Sequence, residues 1–148
     1  MRRLRPAAAL SFWVALWAWF LVTLHGIWTF GYVYGYLDEG RMPLTPSLPV
    51  TYAEFIFLGC VAFIVSFPLG LIANLAFPMP FCVSARVTSC ITGSYIAAES
   101  MAFEFQIDFG ATWGPNEAML ELFVDPVVTP IWLVLGICGT ALFARFRT

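Results

Sequence analysis

Lysine is absent from the 148 residues, and only 11% of them carry a formal charge. A typical soluble domain is roughly 25% charged, and even a 150-residue domain buries only about 70% of the surface its unfolded chain exposes. With 61% hydrophobic residues, this chain has more apolar surface than a water-soluble core of its size hides, so a bilayer must take the remainder. Histidine occurs once, at His25, which excludes metal sites built on histidine pairs and a haem held between two histidines of one chain. No cluster of basic residues with interleaved aromatics exists beyond the first few positions, so nucleic acid is excluded as a partner. Nucleophile elbows, phosphate loops, paired-histidine metal motifs and Asp/Asn/Gly calcium loops are all missing, leaving no enzyme motif and no dedicated metal site. Cys60, Cys82, Cys90 and Cys138 form no CxxC pair and sit in or beside apolar stretches, where they read as packed thiols.

What is present is four long apolar stretches separated by short polar breaks. These predict an all-α integral membrane bundle of four transmembrane helices in one domain, residues 1–148, with spans at about 8–36, 51–73, 81–103 and 126–143. If each stretch crosses the bilayer, the charges segregate. Arg2, Arg3, Arg5, Arg86, Arg145 and Arg147 share one side. All nine carboxylates, from Asp38 to Asp125, share the other with Arg41. Arginine in short loops stays in the cytoplasm, so both termini are expected inside, in a bacterial inner membrane. Arginine-only usage also fits a GC-rich bacterial genome. The apolar run after the N-terminal arginines is far longer than the roughly 7–15 residues of a signal-peptide core and precedes no small-x-small site, so it reads as a retained anchor.

Along the chain, Trp28, Tyr32, Tyr34 and Tyr36 gather at the outer end of the first span, as interfacial aromatics do. Gly31 and Gly35 form a small-xxx-small pair there. Pro43, Pro46 and Pro49 forbid a helix in the first outer loop. Thr51 and Glu54 have capping-box spacing at the start of the second span, and Pro68 and Gly70 suggest a kink within it. Asp125-Pro126 has the form of an N-cap followed by a first-turn proline. A short interfacial helix is expected over 115–124, with Glu117, Glu121 and Asp125 on its outer face and Met119, Leu120 and Phe123 turned to the membrane.

Three sets of residues are candidate functional positions. The first is an intramembrane polar set: His25 on the first span, with Thr88, Thr92, Tyr95 and Glu99 on one face of the third. The second is the small-residue stripe Ser89, Gly93, Ala97 and Ser100, which marks the third helix as the packing centre. The third is the acidic outer segment of Glu104, Asp108, Glu117, Glu121 and Asp125, a candidate docking surface for a basic extracytoplasmic protein. Spans and short loops leave no room for a soluble catalytic domain. The expected role is therefore an accessory or scaffolding subunit of a larger membrane complex, contacting other integral subunits through its lipid-facing helices. The alternatives are a small oligomeric transporter or channel using Glu99 and the Thr/Tyr stripe, or a subunit lending His25 to a shared haem or quinone pocket. No cofactor of its own is expected.

Overall fold

The computed structural model describes residues 4–29, 41–45, 48–78, 81–108, 114 and 116–145. They form five helices and one small hairpin: α1 (Leu4–Trp28), β1 (Arg41–Thr45), β2 (Leu48–Thr51), α2 (Tyr52–Ala76), α3 (Phe81–Asp108), α4 (Glu117–Phe123) and α5 (Val128–Arg145). The described part of the chain is thus helical apart from the antiparallel pairing of β1 with β2, whose register is irregular between Pro43 and Thr45. The sequence reading anticipates extended backbone at these prolines but not the pairing.

The helix boundaries show what local sequence controls. α1 starts at Leu4, before the expected residue 8, because alanine and leucine favour helix and Pro6 falls in the first turn, where it removes no hydrogen bond. Residues 30–36, including Tyr32, Tyr34, Tyr36, Gly31 and Gly35, lie outside the described residues. α2 continues through Pro68 to Ala76, past the expected end at 73. α3 extends to Asp108, one and a half turns beyond the expected 103. α4 begins at Glu117, after Asn116 in a left-handed conformation with φ 63°. The Glu117 carboxylate accepts a hydrogen bond from the Gly114 backbone N–H at 2.6 Å, which holds the approach to this short helix. α5 begins at Val128. Asp125 Oδ1 accepts from the N–H groups of Val127 and Val128 at 2.8 and 2.6 Å, satisfying donors that every helix start leaves open.

Successive long helices run antiparallel. Ser11 meets Gly70 and Asn74, and Thr23 meets Phe55, which pairs α1 with α2. Ser66 bonds to Ser89, which pairs α2 with α3. His25 meets Thr129 and Trp17 meets Leu135, which pairs α1 with α5. α1 and α3 each touch both α2 and α5, and α4 packs on α3. The packing centre expected of the third helix is therefore shared between α1 and α3.

The contact surfaces are made of missing side chains. A Cβ on Gly93 would collide with Ser66 Oγ and stand 2.8 Å from the Ala62 carbonyl oxygen. One on Gly59 would collide with Thr23 Oγ1, and one on Gly26 would lie 2.5 Å from the Phe55 ring. The buried core is correspondingly small, with Ala18, Ala62, Ala97, Ala98 and Ala102 beside Val14, Val22, Leu58 and Phe55.

The outside is apolar. Phe57, Ile64, Ile72 and Leu75 of α2 and Ile131, Val134 and Ile137 of α5 are all exposed. Helices apolar on every side belong in a larger apolar phase, and monomers in water rarely expose contiguous patches of this kind. α1 and α2 are long and apolar enough to cross a membrane. α3 carries Arg86, Glu99 and a ladder of hydroxyls, and the apolar part of α5, Val128–Phe143, is shorter.

Replacing Gly93 by leucine should lower stability in detergent by about 3 kcal/mol, the upper range for forcing volume into a packed interface. Ile64→Ala, on the exposed face of α2, should change it by less than about 0.5 kcal/mol. Thermal unfolding followed by circular dichroism checks both, and equal effects would mean that the α2–α3 contact is not a close one.

Candidate functional site

Two polar constellations lie among the helices. The first is a buried cluster at the α2–α3 turn. Asn74 Nδ2 donates to Ser11 Oγ at 2.9 Å and to the Gly70 carbonyl at 2.8 Å. Its Oδ1 accepts from Arg86 Nε at 2.6 Å and from Cys82 Sγ at 3.5 Å. Ser11 in turn donates to the Ala7 carbonyl at 2.7 Å. One amide thus uses both its donors and its acceptor to join α1, α2 and α3. Arg86 is fully buried, which the sequence reading, assigning it only to the side of the terminal arginines, does not anticipate. The available signal was its position more than one helical turn inside α3, unlike every cation near the ends of the chain. A buried guanidinium is stable only with hydrogen-bonding partners.

The second constellation surrounds a cavity of about 490 Å³ between α1, α3, α4 and α5. Its polar end holds His25, Thr129 and Asn116, and its apolar end reaches Leu21 and Gly136. The Thr129 hydroxyl donates to the Phe123 carbonyl at 3.1 Å and accepts from the Asp125 N–H at 2.9 Å. Its single proton is therefore committed, so in the 3.4 Å contact with His25 Nε2 the imidazole is the donor. The Trp132 ring lies 6.2 Å from the imidazole at an interplanar angle of 31°. Sequence reasoning missed this cavity because its walls come from four segments with no shared local pattern.

The candidate polar set divides between two surfaces. His25 and Tyr95 line the cavity, together with Ser94. Thr88, Thr92 and Glu99 are not on its wall. Thr88 and Tyr95 are exposed, and Thr92 and Glu99 are half-buried, so the stripe follows the outer face of α3. Glu99 Oε2 is shielded from solvent and has no hydrogen-bond partner among the described residues. Ser89, Gly93 and Ala97 are buried; Gly93 packs on Ser66, and the Ser89 carbonyl accepts from Ser66 Oγ at 3.1 Å. Ser100 is exposed, its hydroxyl turned back to the Ile96 carbonyl at 2.8 Å. In the acidic segment, Glu117 and Asp125 are engaged in the local hydrogen bonds given above, while the side chains of Glu104, Asp108 and Glu121 lie outside the described residues. Among the described residues no three of His, Cys, Asp and Glu come together to hold a metal ion. No family model, curated protein or solved structure matches the chain.

Asn74→Leu should cost about 3 kcal/mol, because it removes an acceptor from a buried guanidinium and leaves Ser11 short of a donor. Asp125→Ala should cost about 1 kcal/mol through loss of the α5 cap. Denaturation midpoints in detergent micelles measure both, and a neutral Asn74→Leu would mean that the cluster is replaceable.

Proposed function

We propose that the chain is a multi-pass protein of a bacterial cytoplasmic membrane, with α1, α2, α3 and α5 as its spans, and that it acts as an accessory or scaffolding subunit of a larger membrane complex. One observation carries the reading: Thr88, Thr92, Tyr95 and Glu99 share one face of α3, turned away from α2, on which Thr88 and Tyr95 are exposed and Thr92 and Glu99 half-buried. Hydroxyls and a carboxylate facing hydrocarbon are costly, and such residues normally face other helices. A partner helix with hydrogen-bonding groups would satisfy them. The exposed apolar faces of α2 and α5 are then the surfaces left to lipid. The orientation rests on the charge distribution, with the termini and six of the seven arginines inside and the α3–α4 connection outside. Helix α4, with Ala118 and Phe123 buried and Leu120 exposed, would lie at the outer interface. Because Glu117 and Asp125 are committed to local hydrogen bonds, docking falls to α3 ahead of the acidic segment and any basic extracytoplasmic partner.

Affinity purification of the tagged chain from native membranes in mild detergent should recover other integral membrane proteins in fixed ratio. Interhelical polar contacts in membranes contribute about 0.6–2 kcal/mol each, so Thr92→Leu with Glu99→Leu should reduce that recovery by about tenfold, the equivalent of ~1.4 kcal/mol. The variant's melting temperature should stay that of the wild type. Recovery of the chain only as a monomer or homo-oligomer would overturn the accessory role. A cysteine introduced at position 117, in a background without the four native thiols, should react with impermeant reagent from outside; reaction only from the cytoplasm would reverse the topology.

A further inference from the structure

The α1–α3–α4–α5 cavity has features that a packing defect between helices would lack. Its volume of about 490 Å³ falls within the roughly 300–1,000 Å³ of small-molecule sites, which combine apolar walls with a few placed polar groups. His25 and Thr129 meet at one end, and from Thr129 to Gly136 the wall descends seven residues of α5, about 10 Å at 1.5 Å per residue, to the level of Leu21. The wall is thus mostly apolar, with the His25–Thr129 pair marking one end as a head region.

We propose that this cavity binds the ring of a membrane-soluble quinone, with a ring carbonyl at His25 Nε2–H and the apolar tail directed past Leu21 and Gly136. At 3.4 Å the contact from His25 to Thr129 is long for a hydrogen bond. Thr129 is already satisfied by Phe123 and Asp125. An acceptor oxygen at ordinary distance therefore competes for the imidazole proton without leaving a broken bond behind. Trp132, inclined 31° to the imidazole, and the ring of Tyr95 supply flat apolar surfaces suited to a planar head, and aromatic pairs stabilise such offset arrangements. Ser94, Tyr95 and Asn116 add polar side chains to the lining. A haem held between two histidines of this chain is excluded, since it has a single histidine. The site lies among α1, α3, α4 and α5 of this chain and shares only Tyr95 with the docking stripe on α3.

The test uses the full-length purified chain in phosphatidylcholine nanodiscs, titrated calorimetrically with a ubiquinone bearing one isoprene unit, with palmitate as competitor. Saturable binding of one quinone per chain is expected. His25→Leu should weaken it at least tenfold, His25→Gln, which keeps a side-chain N–H, should restore most of it, and Ser94→Phe should abolish it by filling the cavity. Melting temperatures report whether each variant is folded; should Ser94→Phe unfold, the His25 pair and the competitor decide. Unsaturable partitioning, equal affinity of wild type and His25→Leu, or displacement by palmitate at equal concentration would overturn the proposal, the last by making a lipid acyl chain the occupant. None of these outcomes depends on whether partner subunits co-purify.

Discussion

The architecture depends on how closely α2 approaches its two neighbours. Between helices in an apolar phase the hydrophobic effect contributes little, since lipid is as apolar as leucine, and association relies on packing contacts and interhelical hydrogen bonds. The bond from Ser66 Oγ to the Ser89 carbonyl exists because Gly93 has no side chain to hold the helices apart. On the other face of α2, Gly59 admits Thr23 and Trp19, and a Cβ on Gly70 would stand 3.5 Å from Ser11 Cβ. α2 is thus a slat with small residues on two sides and large apolar ones on its outer edge. Its hydroxyl and carbonyl contacts add direction to what would otherwise be nonspecific association of apolar rods.

That contact also sets the rotation of α3. Residues advance about 100° per position around a helix, so once Ser89, Gly93 and Ala97 are turned to α2, Cys90, Ser94 and Ala98 must face α5. Thr88, Thr92 and Glu99 must then lie on the remaining side. The buried Arg86–Asn74 bond fixes the same rotation at the other end of α3. A guanidinium buried without partners would be prohibitively costly, so Asn74 must keep its place, and with it the α2–α3 turn. Packing in the middle and a polar lock at one end agree on a single orientation, which is the consistency expected of a sequence that specifies one structure.

Helices and their order were legible in the sequence, because apolar runs and flanking charges are local signals. The capping role of Asp125 was legible too, since N-caps are read within a few residues. Helix ends were less so: α2 and α3 run on past their expected ends, where nearby residues remain compatible with helix and only tertiary packing decides. The small-residue stripe of α3 is local in the sequence, but its partner, Ser66, is 23 residues away from Ser89. The direction of the Thr/Tyr/Glu stripe was not readable either. Polar residues in an apolar helix suggest a polar interior, and periodicity places them on one face without saying what that face meets. The burial of Arg86 was not readable for a related reason. Counting charges assigns each cation to a side of the membrane, but it cannot detect an amide 12 positions earlier in the chain whose carbonyl reaches it.

Tyr95 belongs to both surfaces of α3, exposed at the edge of the outer stripe and forming part of the cavity wall. If a partner helix covers Thr92 and Glu99, it also comes to rest beside Tyr95 and narrows the cavity on that side. Docking and ligand binding would then be linked through one side chain, each altering the freedom of the ring that the other contacts. Linkage of this kind is reciprocal, so whatever factor the partner imposes on ligand affinity, the ligand imposes on partner affinity. A subunit that holds a lipid-soluble ring where it touches its neighbour has a physical means of making assembly sensitive to that ring's presence. The means requires no charge movement across the bilayer, and no second ionisable residue at the centre of the membrane.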